Sequence, residues 1–481
     1  MNEISLKDIS KSANIGAKWN AFAMALNAII SIAQISILAK YLSPADFGIV
    51  ALLLVFVSIL TIFVTIGFSD VLIVKNQATK EQLYSMYWLN VAVGIFIYLI
   101  IFLGSPLIKN FISSNYDVSL MLRVMSISIL IGCLSVQFRA LMRRDFLFKQ
   151  LATLDLFAHS CGFVTAVYLV TNGYGVWSII MGALCQQTIA SVSLYIYALA
   201  FKWLPKFIFN VKSVRYMIAF GSHRVGSTLL HNLYSRADQL TIGALLGPAS
   251  LGIYSVAYNL SMQPFLKINP VLTQISFPVF SKIKNNNLNF LRGYRKGLRI
   301  LMFINSPLLM GMLAVAPLFI PLFLGPGWED AVLILQILCI YGLMRSASNI
   351  NTGLILAKEK YSWPTYWNLL LVFVIPVSIY IAIVVSKSLV VVTYTVVFVE
   401  FLLLFISYFI FIRRLLGNFG YKLIDDIGRP ILISSLMAIC VIYLNKFVNI
   451  ESSTIELLIL ILSGAAIYIF LSYFFQKRSF T

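Results

Sequence analysis

Residues 211–246 read VKSVRYMIAFGSHRVGSTLLHNLYSRADQLTIGALL, and this stretch decides the kind of fold. It is too apolar for a helix in water and too polar for one facing lipid. Stepping from Arg224 at about 100° per residue, Thr228, His231, Ser235 and Asp238 fall within about 40° of one line. Val225, Leu229, Leu230, Leu233 and Leu240 lie between them, so the polar groups form a stripe on a fatty rod. An ionisable group at bilayer depth costs about 2.5–3.5 kcal/mol on insertion scales. The stripe is therefore expected to face a water-filled cavity or a partner.

The stretch has a copy earlier in the chain. At an offset of 204 positions, Arg224, His231, Ser235 and Asp238 fall on Asn20, Asn27, Ser31 and Gln34, again one helical face. The turn that follows is repeated as well: LSPADFGIVA (42–51) returns as LGPASLGIYS (246–255), with Leu, Pro, Ala, Gly and Ile in register. A duplicated helical bundle with a polar site between its halves is the usual plan of secondary transporters.

The composition agrees. Of 481 residues, 60% are hydrophobic and 11% charged, and the mean hydropathy is +0.91. These values exclude a soluble globule or a disordered chain. Apolar runs of about 20 residues mark fourteen membrane spans, starting near residues 17, 47, 86, 120, 152, 176, 214, 251, 300, 331, 365, 389, 430 and 455. Of the 36 Lys and Arg, 27 lie in the N-terminal tail, alternate loops and the C-terminus. The opposite side holds only Lys40, Lys109, Lys387 and Lys446, and five lie within spans: Arg123, Arg224, Arg236, Lys267 and Arg345. This bias puts both termini in the cytoplasm and makes the net charge of +19 a topology signal, not a nucleic-acid patch. The expected class is an all-α polytopic membrane protein of about fourteen helices. Its lobes are 1–210 (spans 1–6) and 211–415 (spans 7–12), and two extra spans follow in 416–481.

Other expectations are local. Trp177 and Trp328 should sit in an interfacial belt at outer ends of spans. The cysteines (Cys133, Cys161, Cys185, Cys339, Cys440) have no metal or disulfide spacing and should be small buried hydrophobes. As one helix, 213–246 would measure about 51 Å, so it should project, tilt or bend. In SKIKNNNLNFLRGYRKGLRI (281–300), Phe290, Leu291, Tyr294 and Leu298 among basic residues suggest a helix lying on anionic lipid. His159, one turn beyond Asp155, reads as a hydrogen-bonded packing residue. Spans 13 and 14 carry no intramembrane charge.

No P-loop, HExxH or metal-spaced Cys/His cluster occurs, so neither a catalytic residue nor a metal ligand nor a cofactor is assigned. The distinctive feature is a basic interior in one half. Arg224, Lys267 and Arg345 lie in spans 7, 8 and 10, with His231 beside them. The matching face of the first half offers Asn20, Asn27, Ser31 and Gln34, with Lys18 at its mouth. Fixed cations in a low-dielectric cavity suit a multiply anionic group such as a diphosphate: arginine supplies paired donors and lysine a point charge. Asn and Ser can hydrogen-bond hydroxyl-rich cargo.

The two LxPAxxGI turns, Asp238 ahead of LGPASLGIY, the NGYGVW turn (172–177) and the fourteen-span layout together resemble the polysaccharide transporter family. These are the Wzx-type O-antigen and exopolysaccharide flippases, in the superfamily that includes multidrug/toxin exporters and lipid II flippases. The resemblance covers most of residues 10–415. It implies two six-helix lobes working by alternating access in the bacterial cytoplasmic membrane. It also implies transfer of undecaprenyl-diphosphate-linked oligosaccharide to the outer leaflet, with cavity cations holding the diphosphate. Membrane lipids surround the chain, and a polymerase and glycosyltransferases of the same pathway are the expected partners. Coupling to a proton or sodium gradient fits the same plan, with His231 and Asp238 as candidates for proton coupling. The alternatives are a multidrug/toxin exporter on the same fold, which calls for an acidic cavity, and a membrane-embedded glycosyltransferase or polymerase, which calls for a large outer loop.

Overall fold

Ser43 and Asp46 set the first turn of the repeated element. The Asp46 carboxylate accepts from the Ser43 amide at 2.9 Å and from its hydroxyl at 2.8 Å, and Pro44 occupies the first helical position. This is a capping box with proline where its missing N–H costs nothing. Tyr116 donates its hydroxyl to the other Asp46 oxygen at 2.7 Å. That bond raises the Tyr116 phenol to about 12.

A computed structural model describes residues 6–65, 79–109, 116–211, 215, 226, 228–283, 286–360, 362–417, 419–447 and 452–476. Among these residues the chain is helical throughout, without strands. The helices are α1 (Leu6–Ala39), α2 (Pro44–Thr65), α3 (Lys80–Lys109), α4 (Val118–Arg144), α5 (Phe148–Thr171) and α6 (Trp177–Ala200). Next come the short α7 (Ala237–Leu245), then α8 (Gly247–Ile283), α9 (Asn287–Leu324), α10 (Asp330–Ala357) and α11 (Trp363–Ser386). Helix α12 (Leu389–Ser407) continues through a π-helical turn (Tyr408–Ile412) to Leu416, and α13 (Gly420–Phe447) and α14 (Ser453–Gln476) complete the chain.

Twelve helices among the described residues, α1–α6 and α9–α14, are long and apolar enough to cross a membrane, making this a multi-pass membrane protein. They coincide with twelve of the fourteen expected spans. Of the other two, the span from near 214 lies largely outside the described residues. The one from near 251 is α8, whose side chains past Asn269 lie outside them too.

The chain forms two compact units, Met1–Gly252 and Ile253–Thr481. In the first, α1 and α5 run in the same direction. Trp19 donates to Thr153 at 3.0 Å near their starts, Asn27 meets His159 midway, and Leu38 and Leu42 pack with Ala166 and Val170 at their ends. Parallel pairing is what spans 1 and 5 of an alternating topology require. The NGYGVW turn between α5 and α6 has Gly173 and Gly175 at φ +81° and +56°, where a side chain would be strained. In the second unit, α9 is the central rod, packed on α10, α13 and α14.

Several expectations are corrected. Segment 287–300 does not lie on lipid: it is the first part of α9, and Phe290, Tyr294 and Leu298 are fully buried. Tyr294 donates to Asn351 at 2.8 Å, while Arg295 and Arg299 hold Asp426 of α13. The apolar stripe was real; the protein covers it, not lipid. Spans 13 and 14 are thus bolted to α9 through an ion cluster at the start of α13, which begins ten residues earlier than expected. Trp328 is 1% exposed, inside the protein instead of in a belt. Cys440 is exposed and Cys161 and Cys185 are half-buried, so only Cys133 and Cys339 are core hydrophobes. The described part of the long span 7 is broken at Arg236 and again at Leu246.

Candidate functional site

Within the second unit, polar side chains gather where a membrane core should be apolar. Helices α8 and α10 touch at Tyr258 and Tyr341, whose ring centroids are 6.2 Å apart, and at Ser261 and Gly342. Following both helices onward from that contact, Arg345 lies about 4.5 Å and Lys267 about 9 Å further along, within one turn of a common depth. Helix α9 joins them: Asn305 donates to Asn269 at 2.8 Å. Around this bond, Gln263 Oε1, Asn305 Oδ1, Ser306 Oγ, Ser346 Oγ and Asn349 Oδ1 are buried with no hydrogen-bond partner among the described residues. Leaving such an atom unmet costs about 1–3 kcal/mol, so several together mark a place that takes in water or a polar ligand.

Arg345 is the charged end of this cluster. Its guanidinium lies 3.8 Å from Glu400 Oε2 on α12 and 5.9 Å from the Tyr341 ring centroid. Ser348, one turn along α10, donates to the other Glu400 oxygen at 3.4 Å. An ion pair at 3.8 Å is beyond good hydrogen-bond reach. Lys267 is half-buried.

The other expected site residues lie in the first unit. On α1, Asn27 Oδ1 is 2.7 Å from His159 Nδ1, and Ser31 donates to the Asn27 carbonyl at 2.7 Å. Gln34 is half-buried on the same helix. His159 is thus the hydrogen-bonded packing residue expected, and it fixes the Asn27 amide. Asp155, one turn earlier, is held by a bidentate pair from Arg139 at 2.8 and 2.7 Å. Thr228 is half-buried, and His231 is exposed with its Nδ1 2.9 Å from the Tyr234 hydroxyl. Ser235 donates to the Asn232 carbonyl at 3.3 Å. Asp238 is 4% exposed and accepts from the Gln239 amide at 2.8 Å, in the first turn of α7 past the break at Arg236. The stripe therefore does not continue along one unbroken rod. Arg224 and the side chains of Lys18 and Asn20 lie outside the described residues.

The structure thus brings Lys267 and Arg345 into one unit, and adds groups that the sequence reading did not assign to the site: Gln263, Asn269, Asn305, Asn349 and Glu400. Uncharged amides at depth are weak signals singly. Glu400 is the one acid of span 12, and that it meets span 10 depends on which helices are neighbours.

The duplicated turn closes on its own copy inside the first unit. A methyl group on Gly48 would collide with the Pro248 carbonyl, and one on Gly252 with the Pro44 carbonyl. The two contacts exchange under the 204-residue offset, so the repeats meet about a local two-fold.

Residues 37–333 match the family model described as "Polysaccharide biosynthesis protein". The chain is 27% identical over 470 residues to the teichuronic acid biosynthesis protein TuaB of Bacillus subtilis (strain 168), covering 97% of this chain and 96% of that one. It is 27% identical over 419 residues to the lipopolysaccharide biosynthesis protein WzxC of Escherichia coli (strain K12), covering 87% and 85%. Its fold is that of the lipid II flippase MurJ in an inward closed conformation, with a TM-score of 0.65 at 14% identity over 98% of this chain and 99% of that one. An inward-facing MATE multidrug transporter shares the fold at a TM-score of 0.64 and 14% identity, covering 83% and 98%. With its repeated turns, its buried polar cluster and a family match across more than half its length, the chain belongs to the polysaccharide biosynthesis protein family.

Proposed function

We propose that this protein is a flippase, not an enzyme, that carries an undecaprenyl-diphosphate-linked oligosaccharide from the cytoplasmic to the outer leaflet for surface polysaccharide synthesis. The reading is carried by intramembrane cations on a polysaccharide-family chain: Lys267 and Arg345 share a bundle with orphaned polar atoms, and Arg224 joins them from the sequence. Arg224, Lys267 and Arg345 clamp the diphosphate. Asn20, Asn27, Ser31, Gln34, Thr228, His231, Ser235 and Asp238 line the sugar path, with Lys18 at its mouth. The lipid tail stays in the bilayer, where it costs nothing to leave it. Lobes 1–210 and 211–415 alternate access, and 416–481 moves with the second lobe. The protein resides in the bacterial cytoplasmic membrane with both termini inside, driven by the membrane potential or a proton or sodium gradient. A polymerase and glycosyltransferases of the pathway act before and after it.

The test is complementation of a deletion strain. Arg345→Ala and Lys267→Ala should each reduce surface polysaccharide at least about tenfold, the loss of one charge-assisted contact of 1.4 kcal/mol or more. Arg224→Ala should do the same, with all three variants inserted at normal levels. Normal polysaccharide in all three overturns the clamp. A deletion strain that keeps its polysaccharide and loses drug resistance overturns the cargo.

A further inference from the structure

The chain that leaves α6 is pinned in place and still turns apolar side chains outward. Residues 201–211 read FKWLPKFIFNV. Their backbone is tied to the early turns of α3. The Trp88 indole donates to the Lys206 carbonyl at 3.0 Å. Buried Ser85 donates to the Ile208 carbonyl at 3.4 Å and accepts from the Asn210 amide at 2.9 Å. Nearer α6, the Trp203 amide donates to the Ala198 carbonyl at 2.8 Å, and its ring packs on the core of the first unit. Phe207 lays one ring face on Trp88, with centroids 4.2 Å apart. A strap held at both ends has the means to tuck its apolar residues inward, and this one does not. Phe207 is 88% exposed and Val211 67%, and Phe201, Ile208 and Phe209 are exposed as well. Such a contiguous apolar patch marks an interaction surface.

Depth says what covers it. The apolar span of α3, Lys80–Leu107, has 28 residues and so measures about 42 Å. That is the thickness of hydrocarbon and headgroups together, and with about 30 Å of hydrocarbon centred on it, about 6 Å at each end lies among headgroups. Ser85 and Trp88 are about 8 and 12 Å from the start of α3. The strap they hold therefore lies where acyl chains meet headgroups. Its charges are of one sign: Lys202 and Lys206 are exposed, and 201–211 contains no acid. At the start of α3, Lys80 and Glu81 offset each other. We infer that residues 201–211 form an interfacial foot for anionic phospholipid. Phe201, Phe207, Phe209 and Val211 enter the acyl region, and Lys202 and Lys206 meet the headgroups. Apolar side chains flanked by lysines are the chemistry of a segment lying in the plane of an anionic bilayer surface. The hydrogen bonds to Ser85 and Trp88 meet part of the strap's backbone at a depth where water is scarce. The inference rests on neither the cargo nor the diphosphate clamp.

The experiment uses the full-length protein in nanodiscs made of equal parts phosphatidylglycerol and phosphatidylcholine. Val211→Cys, in a cysteine-free background, carries an environment-sensitive fluorophore; Phe207→Cys is the second position should the first fail to fold. In one set of discs the phosphatidylglycerol has brominated acyl chains, and in the other the phosphatidylcholine has them. Both should quench the label, with brominated phosphatidylglycerol about twofold more effective, because lysines near the surface draw anionic lipid to them. Lys202→Gln with Lys206→Gln should erase that difference and leave the quenching itself, since the apolar side chains still sit among acyl chains. Equal quenching by the two lipids with the lysines intact overturns the anionic preference. A label quenched by aqueous iodide and by neither lipid puts the strap in water and overturns the foot altogether. A label shielded from iodide and from both lipids means that protein covers the strap, which overturns it as well.

Discussion

Asp426 is a carboxylate with no exposure, held between Arg295, 2.5 Å away, and Arg299, also 2.5 Å away. Each guanidinium makes a second contact at 3.1 Å. Burying a charge is tolerated only when its partners replace water, and here two do. Removing one side of such a buried cluster leaves uncompensated charge and costs about 3–5 kcal/mol. Asp426→Asn should therefore destabilise the second unit by about that much, read as a fall in thermal midpoint in detergent. Arg295→Ala should cost less, since Arg299 still meets the carboxylate. Equal midpoints for wild type and Asp426→Asn would remove this account of how α13 is held. The same reasoning separates Arg345 from Arg139. Both meet an acid, Arg139 as a tight bidentate pair at 2.7–2.8 Å and Arg345 at 3.8 Å.

At the scale of elements, the crossing of the two repeated turns is the most constrained contact in the first unit. Carbonyl oxygens of Pro44 and Pro248 occupy the spaces where side chains at Gly252 and Gly48 would go. A backbone carbonyl cannot swing aside as a side-chain tip can, so the helices must part if either glycine grows. Overpacking of this kind costs about 1–3 kcal/mol. Gly48→Ala and Gly252→Ala should each lower the thermal midpoint accordingly. Once the first has forced the turns apart, the second adds little, so the double variant should cost clearly less than both together. Strict additivity would show that the turns are independent. The turn also shows where the copies diverge. Ser43 and Asp46 build a capping box in the first copy, whereas the second has Gly247 at φ +86° and Ser250 in those places. Only the backbone crossing, which needs proline and glycine, is common to both.

For the whole molecule, topology is the property most directly tied to the reading of function, because a flippase must present its cations to a substrate made in the cytoplasm. The parallel pairing of α1 with α5 agrees with an alternating path, and the distribution of Lys and Arg predicts that both termini are cytoplasmic. Single cysteines in a cysteine-free background at positions such as 145 and 360 should react only from the cytoplasmic side. Positions such as 116 and 173 should react only from outside. Labelling with the opposite sidedness would invert the direction of transport inferred for the chain.

What the sequence by itself determined was everything that depends on local periodicity. Twelve of the spans, the 204-residue repeat of the turn and the presence of Lys and Arg within apolar runs all follow from spacing of about 3.6 or 20 residues along one chain. The tight NGYGVW turn and the structural role of His159 were legible for the same reason. What only the tertiary structure decided was which helix meets which. An apolar stripe on 287–300 needs a cover, and nothing in its own residues distinguishes lipid from α13. A lone Glu400 acquires meaning only beside Arg345, and five buried amide and hydroxyl atoms become a cluster only when α8, α9 and α10 stand together. Residue type sets what a group needs, whereas the choice of partner is a long-range contact that no short window of sequence contains.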